Sequence, residues 1–229
     1  LKYKAAIDLS SEASFAVAEI ESGKIIFEKF KQMKRRDSSS LAPWMLTCLQ
    51  EKNIELSNIK EWIAGTGPGS FTGMRLASSL IAGFGFDKKD VSVKGIPSAL
   101  AMANALNSKP GERIAALYDG RNKELLLFGA INKNGNISPS GISAVIGAEK
   151  DQAQERLSGF DLFCAQEKDR EAIEKTIPEN LSGKIEYFDR LPISKLFSKK
   201  ITCEDENISN LVYIRPAVFV PPLKTRSVI

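Results

Sequence analysis

Gly67-Pro68-Gly69-Ser70-Phe71-Thr72-Gly73-Met74-Arg75 lies between a short apolar run, Trp62-Ile63-Ala64, and a longer one, Leu76 to Phe86. That order reads as strand, glycine-rich turn, helix. The glycines open backbone conformations closed to residues with a Cβ, and Pro68 fixes its own φ. Ser70 is placed to cap the helix by accepting from an early helical N–H. Free N–H groups at a helix start, with the helix dipole behind them, suit an anion. The loop is neither of the common phosphate loops. A Walker A loop ends Gly-Lys-Ser/Thr, whereas Gly73 is followed by Met74 and Arg75. A dinucleotide fingerprint needs a third Gly or Ala three residues after Gly-x-Gly, and Ser70-Phe71-Thr72 follow here. Ligand contact and a purely structural tight turn both fit.

Upstream, Tyr3 to Ile7, Ala13 to Ile20 and Lys24 to Phe30 read as three strands in tight turns, an antiparallel meander. Leu41, Trp44, Met45, Cys48 and Leu49 then fall at i, i+3, i+4, i+7, i+8, one apolar helical stripe. Serines 38 to 40 offer caps, and Pro43 is tolerated in a first turn. Downstream of the loop come a strand near Val91 to Val93 and a helix from Pro97 to Leu106. Asn107-Ser108-Lys109-Pro110-Gly111 is the clearest linker. Beyond it the plan restarts: strands at Ile114 to Tyr118 and Leu125 to Ile131 around the turn Asp119-Gly120-Arg121-Asn122, an Asn134-Gly135 hairpin, and a strand near Ile142 to Ile146. Helical patterns at 149–157 and 168–177 flank a strand at Phe160 to Cys164. A short helix at Pro192 to Phe197, a last strand at Val212-Tyr213-Ile214 and a Pro-rich tail (Pro216, Pro221, Pro222) end the chain. Each half has the same element order without shared sequence. The reading is a bilobal α/β protein, residues 1–107 and 108–229, with a cleft between the lobes; a single continuous α/β domain is the alternative.

Composition sets outer limits. The 229 residues are 43% hydrophobic and 26% charged, ordinary for a globular protein. No apolar run is long enough to cross a bilayer. Leu1 to Ile7 is too short, and too soon broken by Asp8, to read as a signal peptide, and a first residue of Leu suggests a trimmed start. Cys48, Cys164 and Cys203 make no metal or redox spacing, which fits a reducing cytoplasm. Basic residues cluster at Lys29, Lys31, Lys34, Arg35 and Arg36 and at Lys195, Lys199 and Lys200. The net charge of +4 is too small for a dedicated nucleic-acid binder, so these read as solvated faces. There is no histidine. That excludes Ser-His-Asp and Cys-His nucleophile activation, His-ligated zinc and any imidazole acid or base.

The glycine loop resembles the hallmark loop of the bacterial TsaB (YeaZ) family. Three further segments resemble that family in the right order: Ala6-Ile7-Asp8-Leu9-Ser10-Ser11-Glu12, Asp119-Gly120-Arg121-Asn122-Lys123-Glu124 and Leu211-Val212-Tyr213-Ile214-Arg215. The chain departs from the family pattern at Leu9, Asp37, Ala77 and Gly120. The resemblance implies two RNase H-like lobes of the actin-like ATPase (ASKHA) fold. It also implies a non-catalytic subunit in the synthesis of transfer-RNA N6-threonylcarbamoyladenosine. Such a subunit pairs with the related catalytic subunit TsaD, whose metal site is built on histidines, and with the ATPase TsaE. Contact with transfer RNA would be indirect or weak, the place cytoplasmic with no membrane attachment, and the chain would need no cofactor or metal, a nucleotide sitting if anywhere at an interface with partners.

In a working ATPase of this fold the first turn pairs an Asp with Gly and a hydroxyl around hydrated Mg²⁺. Asp8, Ser10 and Ser11 remain here, but the turn has no glycine, so it reads as a degenerate phosphate turn whose carboxylate is satisfied by turn N–H groups. In the helix after Gly73, Ser78, Ala82 and Gly85 or Phe86 run along one stripe with Gly73 and Ala77 beside it, and the small residues let another backbone approach closely. Either this stripe packs on its own sheet, or, as the resemblance favours, it meets a partner helix with Trp44 and Met45 extending it. A homodimer could use the same helices. Arg75 can pair with a carboxylate or line the loop. Asp119, Arg121 and Glu124 either pair locally or face the cleft. The rival readings are an autonomous kinase or acyltransferase using the loop and Asp8, and a self-associating scaffold.

Overall fold

A computed structural model describes residues 1–33, 38–147 and 150–215. The readings placed on Lys34, Arg35, Arg36 and Asp37, on the first residue of the 149–157 helix and on the Pro-rich tail lie outside the described residues. Strands β1 (Tyr3–Asp8), β2 (Ala13–Glu19) and β3 (Ile25–Lys31) form the meander. Helix α1 (Leu41–Gln50), β4 (Ile59–Gly65), α2 (Phe71–Gly85), β5 (Ser92–Ile96) and α3 (Ala99–Ala105) complete the first unit. The sheet runs β3-β2-β1-β4-β5, antiparallel from β3 to β1 and parallel from β1 to β5. The second unit holds β6 (Arg113–Asp119), β7 (Leu125–Lys133), β8 (Asn136–Ile146), α4 (Lys150–Leu157), β9 (Leu162–Gln166), α5 (Arg170–Thr176), α6 (Glu179–Ser182) and β10 (Ile185–Phe188). Its order, β10-β9-β6-β7-β8, repeats the first: β6–β8 antiparallel, β9 and β10 parallel on the other side of β6. Two such RNase H-like units in tandem are the actin-like ATPase (ASKHA) arrangement, an α/β fold.

Burial follows the strand period. In β1, Ala5 and Ile7 face a first-lobe core with Trp62 and Phe15, while Ala6 faces the opposite way. In β6, Ala115 and Leu117 face a second-lobe core, and Ile114, Ala116 and Tyr118 face the same central cluster as Ala6. That central cluster joins the lobes. Eight of its 22 buried residues are alanines, which lets α3 lie close between two sheets, and Ala99 through Ala103 are fully buried. A helix apolar all round must be covered on every side.

The second lobe does not keep all of 108–229. Leu191, Ile193, Leu196, Phe197 and Ile201 join the central cluster with Ala6, Ala16 and Ala18, and Lys4 Nζ donates to the Phe197 carbonyl at 3.0 Å. The chain after β10 therefore returns to the first lobe. The expected strand at Val212–Ile214 is absent; this stretch is irregular, held by Val212 N donating to Thr66 O at 2.8 Å. β8 begins at Asn136, six residues before the pattern predicts. Pro139 and Gly141 resemble a loop in sequence, and the ladder shifts register opposite them, between Phe128 and Ala130. β10 is too short to show a period and exists through its pairing with β9. Among the described residues no helix is long and apolar enough to cross a membrane.

Candidate functional site

The glycine loop and the β1–β2 turn form one unit. Ser70 caps α2: its Oγ accepts from Gly73 N at 3.2 Å, and its own N–H donates to Ser10 O at 2.7 Å. A Cβ at Gly69 would overlap the Ser10 carbonyl, and one at Gly73 the Leu9 carbonyl. These two glycines are required by backbone-to-backbone approach, whatever else the loop touches.

Asp8 sits beneath this junction, fully buried. Its Oδ1 accepts from Ser10 N at 2.9 Å and Ser10 Oγ at 2.7 Å. Ser98 Oγ donates to Oδ2 and itself accepts from Gly67 N at 3.1 Å. The carboxyl thus ties the first turn to the glycine loop through Ser98, and Gly65 leaves it room, since a Cβ there would overlap Oδ2. Burial pushes the carboxyl above its usual value near 3.8; the bonds from Ser98 and Ser10 and the Lys168 charge oppose this. This is the turn-satisfied carboxylate of the sequence reading. Asp8→Asn preserves its shape: the amide oxygen can keep the two Ser10 bonds, and the amide nitrogen would donate to Ser98 Oγ in place of accepting from it. With a raised folded value, the folded state holds a proton that the unfolded state releases, so stability falls as pH rises from about 3.8 through the folded value. Asp8→Asn is expected to be at least as stable as the parent near pH 7 and to lose that slope, measured by urea unfolding from about pH 3.5 to 7.

The second-lobe turn lies across from the first. Asp119 Oδ1 accepts from Arg121 N at 2.7 Å, and Gly120 N donates to Glu124 O at 2.8 Å. Arg121, Asn122 and Lys123 are successive left-handed residues, φ 61°, 52° and 61°, at about 1–2 kcal/mol each. Glu124 pairs with Arg215, not with Arg121. Lys168 Nζ donates to Ser11 Oγ, and Arg190 lies 3.8 Å from Glu12, so the second lobe spans the first turn. Asp169, buried beside Lys168, is also pushed up by burial. Arg75 Nε donates to Tyr213 Oη at 3.0 Å, and Tyr213 stacks on Phe71 with centroids 4.7 Å apart. The late segment therefore joins the glycine-loop helix, through Tyr213, to the second-lobe turn, through Arg215. Four segments scattered along the sequence are linked at one mouth. Ser98, Lys168, Asp169 and Arg190 carried no motif that would have marked them.

The faces of α2 correct the expected partner stripe. Ala77 and Ser78 are buried, Gly85 is half-buried against Val93, and Met45 is 1% exposed in the first-lobe core. Trp44 is half-buried, its ring edge-on to Phe15 at 6.0 Å. These small residues seat α2 on its own sheet. The open face is Thr72, Arg75, Ser79, Ala82 and Gly83, at i, i+3, i+7, i+10 and i+11, and Phe86, the capping residue just past the helix, follows them. Of the expected partner-facing side chains on α2, Ala82 alone lies fully on it. Phe86 is 80% exposed, and Leu46 on α1 39%.

The family described as TsaD, tRNA N6-adenosine threonylcarbamoyltransferase, matches residues 26–182. No curated protein matches the sequence. Among solved structures, YeaZ from Pseudomonas aeruginosa aligns with TM-score 0.65 and 22% identity over 86% of this chain and 89% of its own. A protein described as similar to peptidase YeaZ from Pseudomonas aeruginosa aligns with TM-score 0.67 and 20% identity over 94% of this chain and 100% of its own.

Proposed function

The chain belongs to the TsaD, tRNA N6-adenosine threonylcarbamoyltransferase, family and carries the YeaZ (TsaB) fold, and from that premise we propose that it is a non-catalytic partner subunit that binds and activates a TsaD-like transferase. The observation that carries this reading is the open face of α2. Small residues Ser79, Ala82 and Gly83 lie bare between Arg75 and the 80% exposed ring of Phe86. A face of this kind lets another helix approach closely, with an aromatic anchor at one end. The chain supplies no imidazole for a histidine-built metal site, and the Asp8 carboxylate is turned inward on Ser10 and Ser98. Chemistry is therefore left to the partner, and this subunit acts by holding it in its active arrangement. A TsaE-like ATPase would join the same assembly in the cytoplasm, nucleotide would sit where subunits meet, and transfer RNA would be reached through the partner.

The test is co-purification with a TsaD-like subunit followed by a threonylcarbamoyladenosine assay with and without this chain. Expected are a stable complex and modification that depends on it. Modification at full rate without the chain, or ATP turnover by the chain alone that disappears in Asp8→Asn, overturns the reading. Light scattering with and without the partner separates a homodimer on the same face from the heteromeric complex.

A further inference from the structure

Arg75 is the only charged side chain in α2. It is exposed on the open face, three residues after Thr72 and four before Ser79, so the three are neighbours on one ridge. The helix itself gains nothing from it. Arg75 lies about one turn from the N-terminus, where the macrodipole favours anions, and among the described residues no carboxylate pairs with it. What holds it comes from the far end of the chain. Its Nε donates to Tyr213 Oη at 3.0 Å, and its guanidinium carbon lies 5.7 Å from the centre of the Tyr213 ring. Tyr213 is itself fixed. Its ring stacks on Phe71 with centroids 4.7 Å apart and planes 9° from parallel. Val212 N, just before it, donates to Thr66 O at 2.8 Å, and Arg215, two residues on, pairs with Glu124.

An exposed arginine samples many rotamers, and ordering one opposes binding. Here the Tyr213 bond and the stacked rings restrict the side chain before any partner arrives. That bond uses one of the five guanidinium N–H groups. Among the described residues nothing accepts from the four on Nη1 and Nη2, or from the Tyr213 hydroxyl, which is on a residue 40% exposed. Nη1 and Nη2 present two parallel N–H bonds, the geometry that takes both oxygens of one carboxylate. Ser79, Ala82 and Gly83 let a partner helix come close. Arg75 is then covered by the contact, and a covered guanidinium must be paired. Nucleic acid is the poorer match. Binding a phosphate backbone draws on several cations, and the arginine two residues after Tyr213 is already taken by Glu124.

We propose that Arg75, positioned by Tyr213, receives an aspartate or glutamate side chain of the TsaD-like subunit, and that this pair sets the register of the partner helix on α2. The inference rests on the partner-subunit reading and adds the chemistry required of the partner: a carboxylate at one end of the contact and, roughly 16 Å further along α2, a place for the Phe86 ring.

The test is calorimetry of the full chain with the TsaD-like subunit at about 50 and about 300 mM NaCl. The parent complex is expected to weaken as salt rises. Arg75→Gln is expected to lower affinity at least about thirtyfold at low salt and to flatten the salt dependence, because it leaves the partner's carboxylate covered and unpaired. Arg75→Lys keeps the charge and loses the fork, so it should restore only part of that affinity. Tyr213→Phe keeps the stacked ring and removes the oxygen that orients Arg75. A loss of about three- to tenfold with the salt dependence retained marks Tyr213 as a positioning residue. Both side chains are exposed, so the isolated variants should melt within about 3 °C of the parent. Exchange of the partner's exposed carboxylates for lysine, one at a time, should find one that restores binding to Arg75→Glu. No complex with the parent chain overturns the partner-subunit reading, and this inference with it. A complex that forms but keeps its affinity and salt dependence in Arg75→Gln overturns this inference alone. So does an Arg75→Gln chain whose only loss is in binding transfer RNA to the assembled complex, which would assign the guanidinium to phosphate. Should Arg75→Gln fail to fold, Arg75→Lys carries the test, and full parental affinity in that variant overturns the carboxylate fork.

Discussion

Ala82→Arg is expected to abolish co-purification with the TsaD-like subunit while leaving the isolated chain folded, with a melting temperature close to that of the parent. Ala82 is exposed on α2, midway along a stripe whose other members are also exposed. Arginine is a good helix former, so a solvent-facing exchange there costs the free chain only a few tenths of a kcal/mol. In a helix-on-helix contact the outcome differs. The small face lets backbones approach to about 8 Å, and a guanidinium placed there either holds the helices apart or is buried unpaired. Loss of a well-packed centre together with an unpaired charge costs about 3–5 kcal/mol, a weakening of roughly two to four orders of magnitude. Phe86→Ala, which removes an anchor at the end of the same face, is expected to weaken association by about 2 kcal/mol. Pull-down and calorimetry check both, and modification activity should fall in step. A complex of unchanged affinity in Ala82→Arg would move the interface off α2 altogether.

The sequence carried the lobe plan because it depends on local signals. Period-2 strands, the linker at Asn107–Gly111 and the repeated order of elements were sufficient to place two units. It carried the glycine loop because close backbone approach leaves a glycine at each point of contact. It did not carry the outward face of α2. A small-residue stripe has the same spacing whether it seats a helix on its own sheet or on a partner's, and here Ala77, Ser78 and Gly85 do the first. Met45 was misplaced for a related reason: a large apolar residue on an amphipathic helix belongs to the core unless tertiary contacts leave it out. The return of the chain from Leu191 onward, and the Tyr213 and Arg215 links to the mouth, are long-range contacts with no local pattern. Ser98 and Lys168 reach Asp8 and Ser11 by tertiary placement alone.

The junction of loop and turn supplies the second large effect: Gly73→Ala is expected to cost about 3–5 kcal/mol, a large part of the 5–15 kcal/mol that keeps a domain folded. On propensity alone, alanine for glycine inside a helix gains up to about 1 kcal/mol. At position 73 the new methyl would overlap the Leu9 carbonyl, which is backbone and cannot rotate away. Relief requires the start of α2 to lift from the β1–β2 turn. Overpacking of this kind costs about 1–3 kcal/mol. Lifting also breaks the Ser70-to-Ser10 bond and disturbs the Ser98 and Ser10 contacts of Asp8, at about 0.5–1.5 kcal/mol for each bond lost. For a chain of this size the fall in melting temperature is about 6–20 °C. Gly83→Ala is the matched control. It sits in the same helix, with nothing within 4 Å of an added Cβ, so the propensity gain stands and the free chain should be stabilised by about 0.5–1 kcal/mol. Because Gly83 lies on the open face, the same methyl should weaken association with the partner. The two exchanges therefore separate the roles of glycine in this helix. Gly73 serves the chain's own fold, so its loss appears in the isolated protein. On the proposed reading Gly83 serves what α2 meets, so its exchange slightly stabilises the isolated protein and is harmful only when the partner is present. Equal effects of both on the isolated chain would mean that the open face is part of the fold and not a surface for another protein.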